Sequence, residues 1–277
     1  MTNSVCVIIP VHKPYPTNAE ILSLQACARH LTSYDCYLIF PQGLDISAYT
    51  CIYKGLLLKP VNPQWLASIE AYNRMKLDLS FYNIFINYSH MLTYELDSFI
   101  FSNELKAAQA FEFDFIGAPF FEGYWEAKPD AKLIPGCNSG FSVRNIQSCI
   151  KVLNSMNKYR THWILYKLFL APVRRFRLLL NSLTNYSYEV FITGRFAFYF
   201  DNFHINEDVV WTEIVPKLFP DFKIADPMAA LGFSFEYNLP QSLRLNDGKL
   251  PLGCHAWYKH PEFWKDYIVM DNLIQDK

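Results

Sequence analysis

Two carboxylates, Glu95 and Asp97, stand two residues apart directly after a short apolar run, HMLTY, that ends at Tyr94. On an extended backbone, side chains at that spacing project from the same face. Acid groups at the end of a buried strand are costly unless they bind something. In an open α/β sheet that end is also where ligands sit. Two hard oxygen donors there suit Mg²⁺ or Mn²⁺, and through the ion a diphosphate. The plain alternative is a strand-end turn in which Asp97 caps the next segment. A firmly held ion needs a further ligand, and the neutral imidazole of His255, in the run LPLGCHAW, could supply it. A lone histidine is more often structural. A second acidic pair, Glu207 and Asp208 in NEDVVW, stands right before an apolar helix start. Asp208 there is either a helix cap or a general base that takes a proton from a hydroxyl.

Two further stretches carry groups that could meet a ligand. In GCNSGFSVR, from Gly136 to Arg144, small residues let backbone come close to a bound molecule, and Asn138 and Ser139 offer contacts to hydroxyls. A tight turn into a strand would use the same residues. Tyr72, Asn73 and Lys76 lie on a predicted helix over residues 63–77, just ahead of the acidic strand. Asn73 could face a base or ribose, or simply a solvated helix face.

The elements that must position these groups are legible in outline. Residues 5–11 form a continuous, β-branched apolar run suited to a buried parallel strand. A loop, HKPYP, precedes a helix capped by Thr17 or Asn18 and running to about His30. Residues 36–40 are a second strand, which makes a βαβ unit and the start of an α/β sheet. Residues 51–58 are predicted as a third strand and residues 81–85 as the end of an aromatic helix. A helix start is predicted at Ser102, and residues 113–119 as a short strand. Residues 122–132 are predicted as a flexible loop, and a further helix begins at Asn145 or Ser148. Residues 222–236 are predicted as a strand and a loop returning to the site. Neither Gly-x-Gly-x-x-Gly nor a Walker loop follows the first strand, so an oxidoreductase dinucleotide site and a P-loop have little support.

The whole chain sets limits. Its 277 residues suffice for one large domain, and 51% apolar with 17% aromatic residues excludes a disordered chain. A formal net charge of −1 gives no support for nucleic-acid binding. Seven scattered cysteines without a C-x-x-C pair argue for reduced thiols in a cytoplasmic protein, against a zinc site or disulfide framework. Neither a signal peptide nor a transmembrane run is expected. From Lys151 to Phe200, eight basic residues face a single acid, Glu189, among bulky apolar side chains. That composition suggests weak contact with an anionic membrane surface or a lipid-linked substrate. A helical insertion packed on the core with a solvated basic rim remains the other reading.

An ordered set of motifs now points one way: VIIPVHKP, SIEAYNRMKLDLSFY, YELDSFIF, FDFIGAPF, GCNSGFSVRN, NEDVVW, FSFE and PLGCHAW. The chain resembles nucleotide-sugar-dependent glycosyltransferases of the GT-A fold, and more narrowly a family long catalogued as a domain of unknown function. The family's strand motif usually reads Gln-Leu-Asp where this chain has Glu95-Leu96-Asp97. The basic stretch of about 158–200 matches nothing in the family pattern.

The resemblance implies a single α/β domain over residues 1–277, a Rossmann-type, mainly parallel mixed sheet flanked by helices, with a basic helical insertion. Residues 1–135 would form the donor half and 136–277 the acceptor half. Asp97, with His255 as second ligand, would bind Mn²⁺ or Mg²⁺ bridging the diphosphate of a UDP-sugar. Pro10, His12, Tyr72, Asn73, Lys76 and Glu95 would line the donor side, and Asn138, Ser139 and Gly140 the donor sugar. Asp208 would be the base of an inverting transfer, with Glu207 orienting the acceptor. The acceptor would be a saccharide or lipid-linked intermediate of polysaccharide or lipopolysaccharide assembly, placing the protein peripherally at the inner membrane face. A nucleotide-sugar hydrolase, a nucleotidyltransferase and a non-catalytic carbohydrate- or lipid-binding protein on the same scaffold are the competing readings.

Overall fold

The computed structural model describes residues 4–159 and 206–268, the stretch 156–159 by backbone alone. The basic stretch and its expected membrane contact lie almost wholly outside these residues.

The first apolar run forms β1 (Val5–Pro10), buried along almost its full length, as a strand covered on both faces must be. Helix α1 (Asn18–His30) follows, opened by a reciprocal capping box: Glu20 N donates to Thr17 Oγ1 and Thr17 N to Glu20 Oε2. Strand β2 (Asp35–Pro41) then pairs parallel to β1. The expected strand over residues 51–58 is displaced. Residues Ser47–Ile52 form helix α2, which buries Tyr49, and β3 (Leu57–Val61) begins only after it. Tyr49 and Tyr53 are both buried and four apart, a helical spacing that outweighs the β-propensity of the stretch. The expected helix over 63–77 is broken too: a 3₁₀ turn, Pro63–Leu66, precedes α3 (Ile69–Met75), which Ser68 caps through the Ala71 amide. Helix α4 (Leu79–Ile84), capped by Asp78, leads into β4 (His90–Tyr94).

Strand β5 (Phe99–Ile100) comes next, then β6 (Phe115–Ile116), β7 (Pro119–Phe121), β8 (Leu133–Cys137) and β9 (Phe141–Asn145). No helix starts at Ser102; the chain there runs in turns. The main sheet has the order β3-β2-β1-β4-β9-β6. Its first four strands are parallel, and β9 runs antiparallel to both neighbours. The sheet is thus mixed and mainly parallel, as the sequence predicts, and β9 of the C-terminal half pairs with β4 of the N-terminal half. Asn145 receives the Ser148 amide as α5 (Ile146–Tyr159) begins.

Residues 222–236, expected as strand and loop, hold a helix, Pro227–Phe233, whose N-cap Asp226 accepts from the Met228 and Ala229 amides. Strand β10 (Ser234–Phe235) follows, and with β11 (Gly253–Cys254) and β5 it forms a three-stranded sheet. Around that sheet a second apolar cluster gathers Leu231, Phe235, Trp257 and Trp264. All seven cysteines are free, six of them buried. Among the described residues no helix is long and apolar enough to cross a membrane.

Candidate active site

The acidic pair does not sit on extended backbone. Strand β4 ends at Tyr94 and the chain turns, with Ser98 N donating to Glu95 O at 2.8 Å. Backbone bonds hold that turn from two directions: Glu95 N donates to Gly140 O and Trp257 N to Asp97 O. The turn, together with β11, brings the expected third residue into place. His255 Nε2 lies 3.2 Å from Asp97 Oδ1 and 3.6 Å from Glu95 Oε2. Ligand atoms of Glu95, Asp97 and His255 all fall within 4.8 Å of one another. This donor set of two carboxylates and one imidazole suits a hard to borderline divalent ion.

Local chemistry supports that fit. His255 Nδ1 faces Glu236 Oε1 at 3.0 Å, which fixes the ring and leaves Nε2 toward the carboxylates. Asp97 Oδ1 and both ring nitrogens of His255 are buried atoms lacking a well-aligned hydrogen bond. Gly140 presses on the imidazole so closely that a Cβ would run into it. Burial by itself would lower the His255 pKa, but Glu236 and Asp97 carry it well above the ordinary range. Glu236 has no part in the sequence-based site. Its signal was available: like Glu95, it is a carboxylate set immediately after a buried apolar strand.

Behind this triad lies a buried cation. Lys76 Nζ is 2.6 Å from Glu207 Oε1, 3.1 Å from Glu95 Oε1 and 3.0 Å from Ser139 Oγ. Its ammonium also stands 4.2 Å over the Tyr72 ring, and Tyr72 donates its hydroxyl to Glu95 Oε1 at 2.9 Å. Arg144 on β9 donates to Glu207 Oε1 at 3.0 Å, and its guanidinium lies over the Phe115 ring. Burial opposes charge on every member. Arg144 and Lys76 nevertheless hold Glu207 below the usual carboxylate range, and Glu207 with Glu95 raises Lys76. Glu207 is therefore a fully buried anion gripped by two cations rather than an open group in a cleft.

Asp208 differs from its neighbour. Burial and the adjacent Glu207 charge push its carboxyl up to about 7. Val209 N donates to Oδ1, and Asn138 Nδ2 makes a long 3.5 Å contact with Oδ2. Asn138 is itself held, since its Oδ1 accepts from Gly140 N at 2.8 Å. The Asn138–Gly140 turn thus touches both acidic centres, Asp208 at one end and His255 at the other. Asp208 is the second residue of a short helix, Glu207–Val209, whose N-cap position is Asn206 and not Asp208, and which widens into a π-turn over Val210–Ile214. Such insertions often mark functional sites.

An open cleft of about 1440 Å³ borders the triad. Pro10, His12, Tyr72, Glu95, Asp97 and Trp257 are among its lining residues. Lys76 lies behind this wall, buried, while Asn73 points elsewhere and contacts Asn206 at 3.4 Å. Asp208 and Asn138 are not on the cleft lining.

Similar chain paths occur among solved structures. The apo-form glycosyltransferase GlyE of Streptococcus pneumoniae TIGR4 is 13% identical with a TM-score of 0.46, over 97% of this chain and 61% of that one. This chain thus spans about three fifths of GlyE. Mouse xyloside xylosyltransferase 1, apo form, is 10% identical with a TM-score of 0.48, over 91% of this chain and 97% of that one. The galactosyltransferase LgtC, in complex with donor and acceptor sugar analogs, is 12% identical with a TM-score of 0.46, over 90% and 86%. No curated protein matches the sequence. Residues 56–255 match the family described as "Protein of unknown function (DUF5672)", and the chain belongs to that family.

Proposed function

With that family membership as premise, we propose that this protein is a metal-dependent glycosyltransferase of the hexosyltransferase type. It moves a sugar from a nucleoside-diphosphate sugar, UDP favoured, to a hydroxyl of a saccharide or lipid-linked acceptor, with inversion. The observation that carries the reading is the pairing of two unlike acidic centres across the Asn138–Gly140 turn. One is a hard-ligand triad beside a large cleft; the other is a single carboxyl whose pKa is pushed up to about 7. A general base works best when its pKa lies near the working pH.

Asp97, Glu95 and His255 would hold Mn²⁺ or Mg²⁺, with Glu236 setting the imidazole. The ion supplies charge neutralisation for the departing diphosphate. Pro10, His12 and Tyr72 line the cleft that would take the nucleotide. Asn138, Ser139 and Gly140 would hold the donor sugar between the two centres. Asp208 takes the proton from the acceptor hydroxyl as its oxygen attacks the anomeric carbon. The bond from that carbon to the diphosphate oxygen breaks, and its electron pair leaves with the nucleoside diphosphate. Glu207, tied to Lys76 and Arg144, positions Asp208 and keeps a fixed negative charge beside it. Residues 1–135 contribute most of the donor side and 136–277 the acceptor side, although His255 crosses over to complete the triad.

Calorimetry with UDP, GDP and CMP, each with Mn²⁺ and with chelator, tests the reading on wild type and Asp97→Ala. Metal-dependent binding of one nucleotide, lost in the variant, is expected. A folded protein that binds none of them would instead favour a sugar-binding module. Product configuration, read by NMR of the anomeric proton, tests inversion.

A further inference from the structure

The loop over residues 122–132, expected to be flexible, is closed and held. Glu122 N donates to Lys132 O across its neck at 2.8 Å. Asn238 Nδ2 donates to Lys128 O, and Gln241 Nε2 to Ala131 O, so the far limb is fixed to a neighbouring helix. Directly after that neck two consecutive residues are left-handed, Gly123 at φ +88° and Tyr124 at φ +51°. Glycine takes that conformation freely, whereas a tyrosine does so only where its surroundings over-determine it.

Tyr124 is over-determined. Its hydroxyl donates to Glu213 Oε1 at 2.8 Å, and its ring packs edge-on to Phe120 with centroids 5.2 Å apart. Glu213 lies on the π-turn that continues the helix of Asp208, where Thr212 Oγ1 donates to Asp208 O at 2.8 Å. The bond to Glu213 is the main influence raising the Tyr124 pKa, and Asp208 is near enough to add to it. With Tyr124 turned inward as the anchor, Trp125 is turned outward and stands 75% exposed. Its ring lies 6.3 Å from that of Tyr124. An indole on a frame fixed to the helix of Asp208 is an unusual use of surface area. It also lies off the cleft that borders the triad.

We propose that Trp125 is the platform on which the acceptor saccharide stacks, its free hydroxyl directed toward Asp208. This deepens, and rests on, the reading of Asp208 as the base of a glycosyl transfer. A pyranose ring has one face of C–H groups and a rim of hydroxyls. It therefore fits a flat aromatic face ringed by hydrogen-bond acceptors. Glu122 and Glu126 flank Trp125 in the chain, and Glu213 lies beneath its anchor. Glu122, Glu126 and Asp130 outnumber Lys128 and Lys132 in this loop, which gives no positive cradle for a diphosphate or an anionic lipid headgroup and leaves a neutral sugar ring as the matching occupant.

Nitrogen-15 labelling of tryptophan in the full chain gives six indole signals, and Trp125→Phe identifies the one from Trp125. The probes are the methyl β-pyranosides of glucose, galactose and xylose, and separately UDP with Mg²⁺. At least one pyranoside should shift the Trp125 signal saturably and leave the others in place, whereas UDP with Mg²⁺ should not move it. Saturation transfer from protein to that pyranoside should fall roughly fivefold in Trp125→Ala. Tyr124→Phe, which frees the anchor without touching the indole, should broaden the Trp125 signal and weaken the response. A Trp125 signal unmoved by all three pyranosides to about 50 mM, or moved equally by UDP, overturns the proposal. UDP binding tested alongside keeps the two failures apart. Its absence counts against the transferase reading, while the pyranoside response decides the platform.

Discussion

Lys76 and Glu207 meet at 2.6 Å, Nζ to Oε1, with both side chains almost fully shielded from water. Removing Lys76 would leave Glu207 with Arg144 alone, and removing Glu207 would leave Lys76 with Glu95 alone, so either loss under-compensates a charge in a low-dielectric interior. Through its further contacts with Glu95 and Ser139, Lys76 links the metal-binding turn to the helix of Asp208. Lys76→Met should therefore destabilise the fold by about 3–5 kcal/mol, measured by urea denaturation. Lys76→Met combined with Glu207→Gln should recover part of that loss. If the double variant is as unstable as the sum of the single ones, the coupling is absent.

Asp208→Asn should leave nucleotide binding intact and lower turnover by about 10²–10⁴-fold. In the wild type, turnover should rise with pH along an acid limb centred near pH 7, since Asp208 must be ionised to accept a proton. Stability should move the opposite way. The folded state keeps the Asp208 proton up to about pH 7, whereas an unfolded aspartate loses it near 4, so the fold weakens as pH rises through that window. Asp208→Asn should accordingly be more stable than wild type at pH 8, by on the order of 1 kcal/mol or more. Thermal melts of both proteins at pH 5 and pH 8 measure the difference.

Glu236 touches the triad only through His255 Nδ1. Glu236→Gln should keep the fold and weaken Mn²⁺ binding by roughly 10–100-fold, read by calorimetry. His255 carries a proton well above its ordinary range, so an incoming cation has to displace it, and Mn²⁺ affinity should rise with pH. The same titration in buffers of different ionisation enthalpy reports the released proton. Equal heats in all buffers would contradict it.

Gly140→Ala places a methyl group where the imidazole stands. Mn²⁺ binding should be lost or reduced more than tenfold, with a smaller fall in melting temperature, because the Gly140 carbonyl that receives Glu95 N is unaltered. Unchanged metal affinity in this variant would mean that His255 does not need its present position.

Much of this architecture can be read from residue patterns, and the departures have identifiable physical causes. Strand β4 and the acids beyond it, the helix start at Asn145 and the strand of the first βαβ unit depend on local chemistry, and local chemistry is what a sequence displays. The strand expected over residues 51–58 begins only at Leu57 because the helix Ser47–Ile52 takes its first residues, and the Tyr49 hydroxyl on the Lys13 carbonyl, 36 positions away, adds a contact to the burial of Tyr49 and Tyr53 that no local pattern displays. Lys76 reads as a polar residue on a helix face, available to a donor. Only the fold brings Glu207, Glu95 and Ser139 around it. Glu236 stayed without a role because its partner, His255, is reached across β10 and β11 rather than along the chain.

The pairing of β5 with β11 has one more consequence. Gly253 and Cys254 lie against Ile100 and Phe99, and His255 is 158 positions downstream of Asp97 (255 − 97). Every other centre of the site lies between these two in sequence, apart from Glu95, Lys76, Tyr72 and the cleft wall. A chain still leaving the ribosome can close β1 to β4 early, yet it holds no triad until its last quarter has emerged and docked. Contacts of such long range form late in folding. Assembly of the triad thus reports completion of the fold, and a truncated or half-folded copy would lack both the third ligand and the stretch of cleft wall that Trp257 supplies.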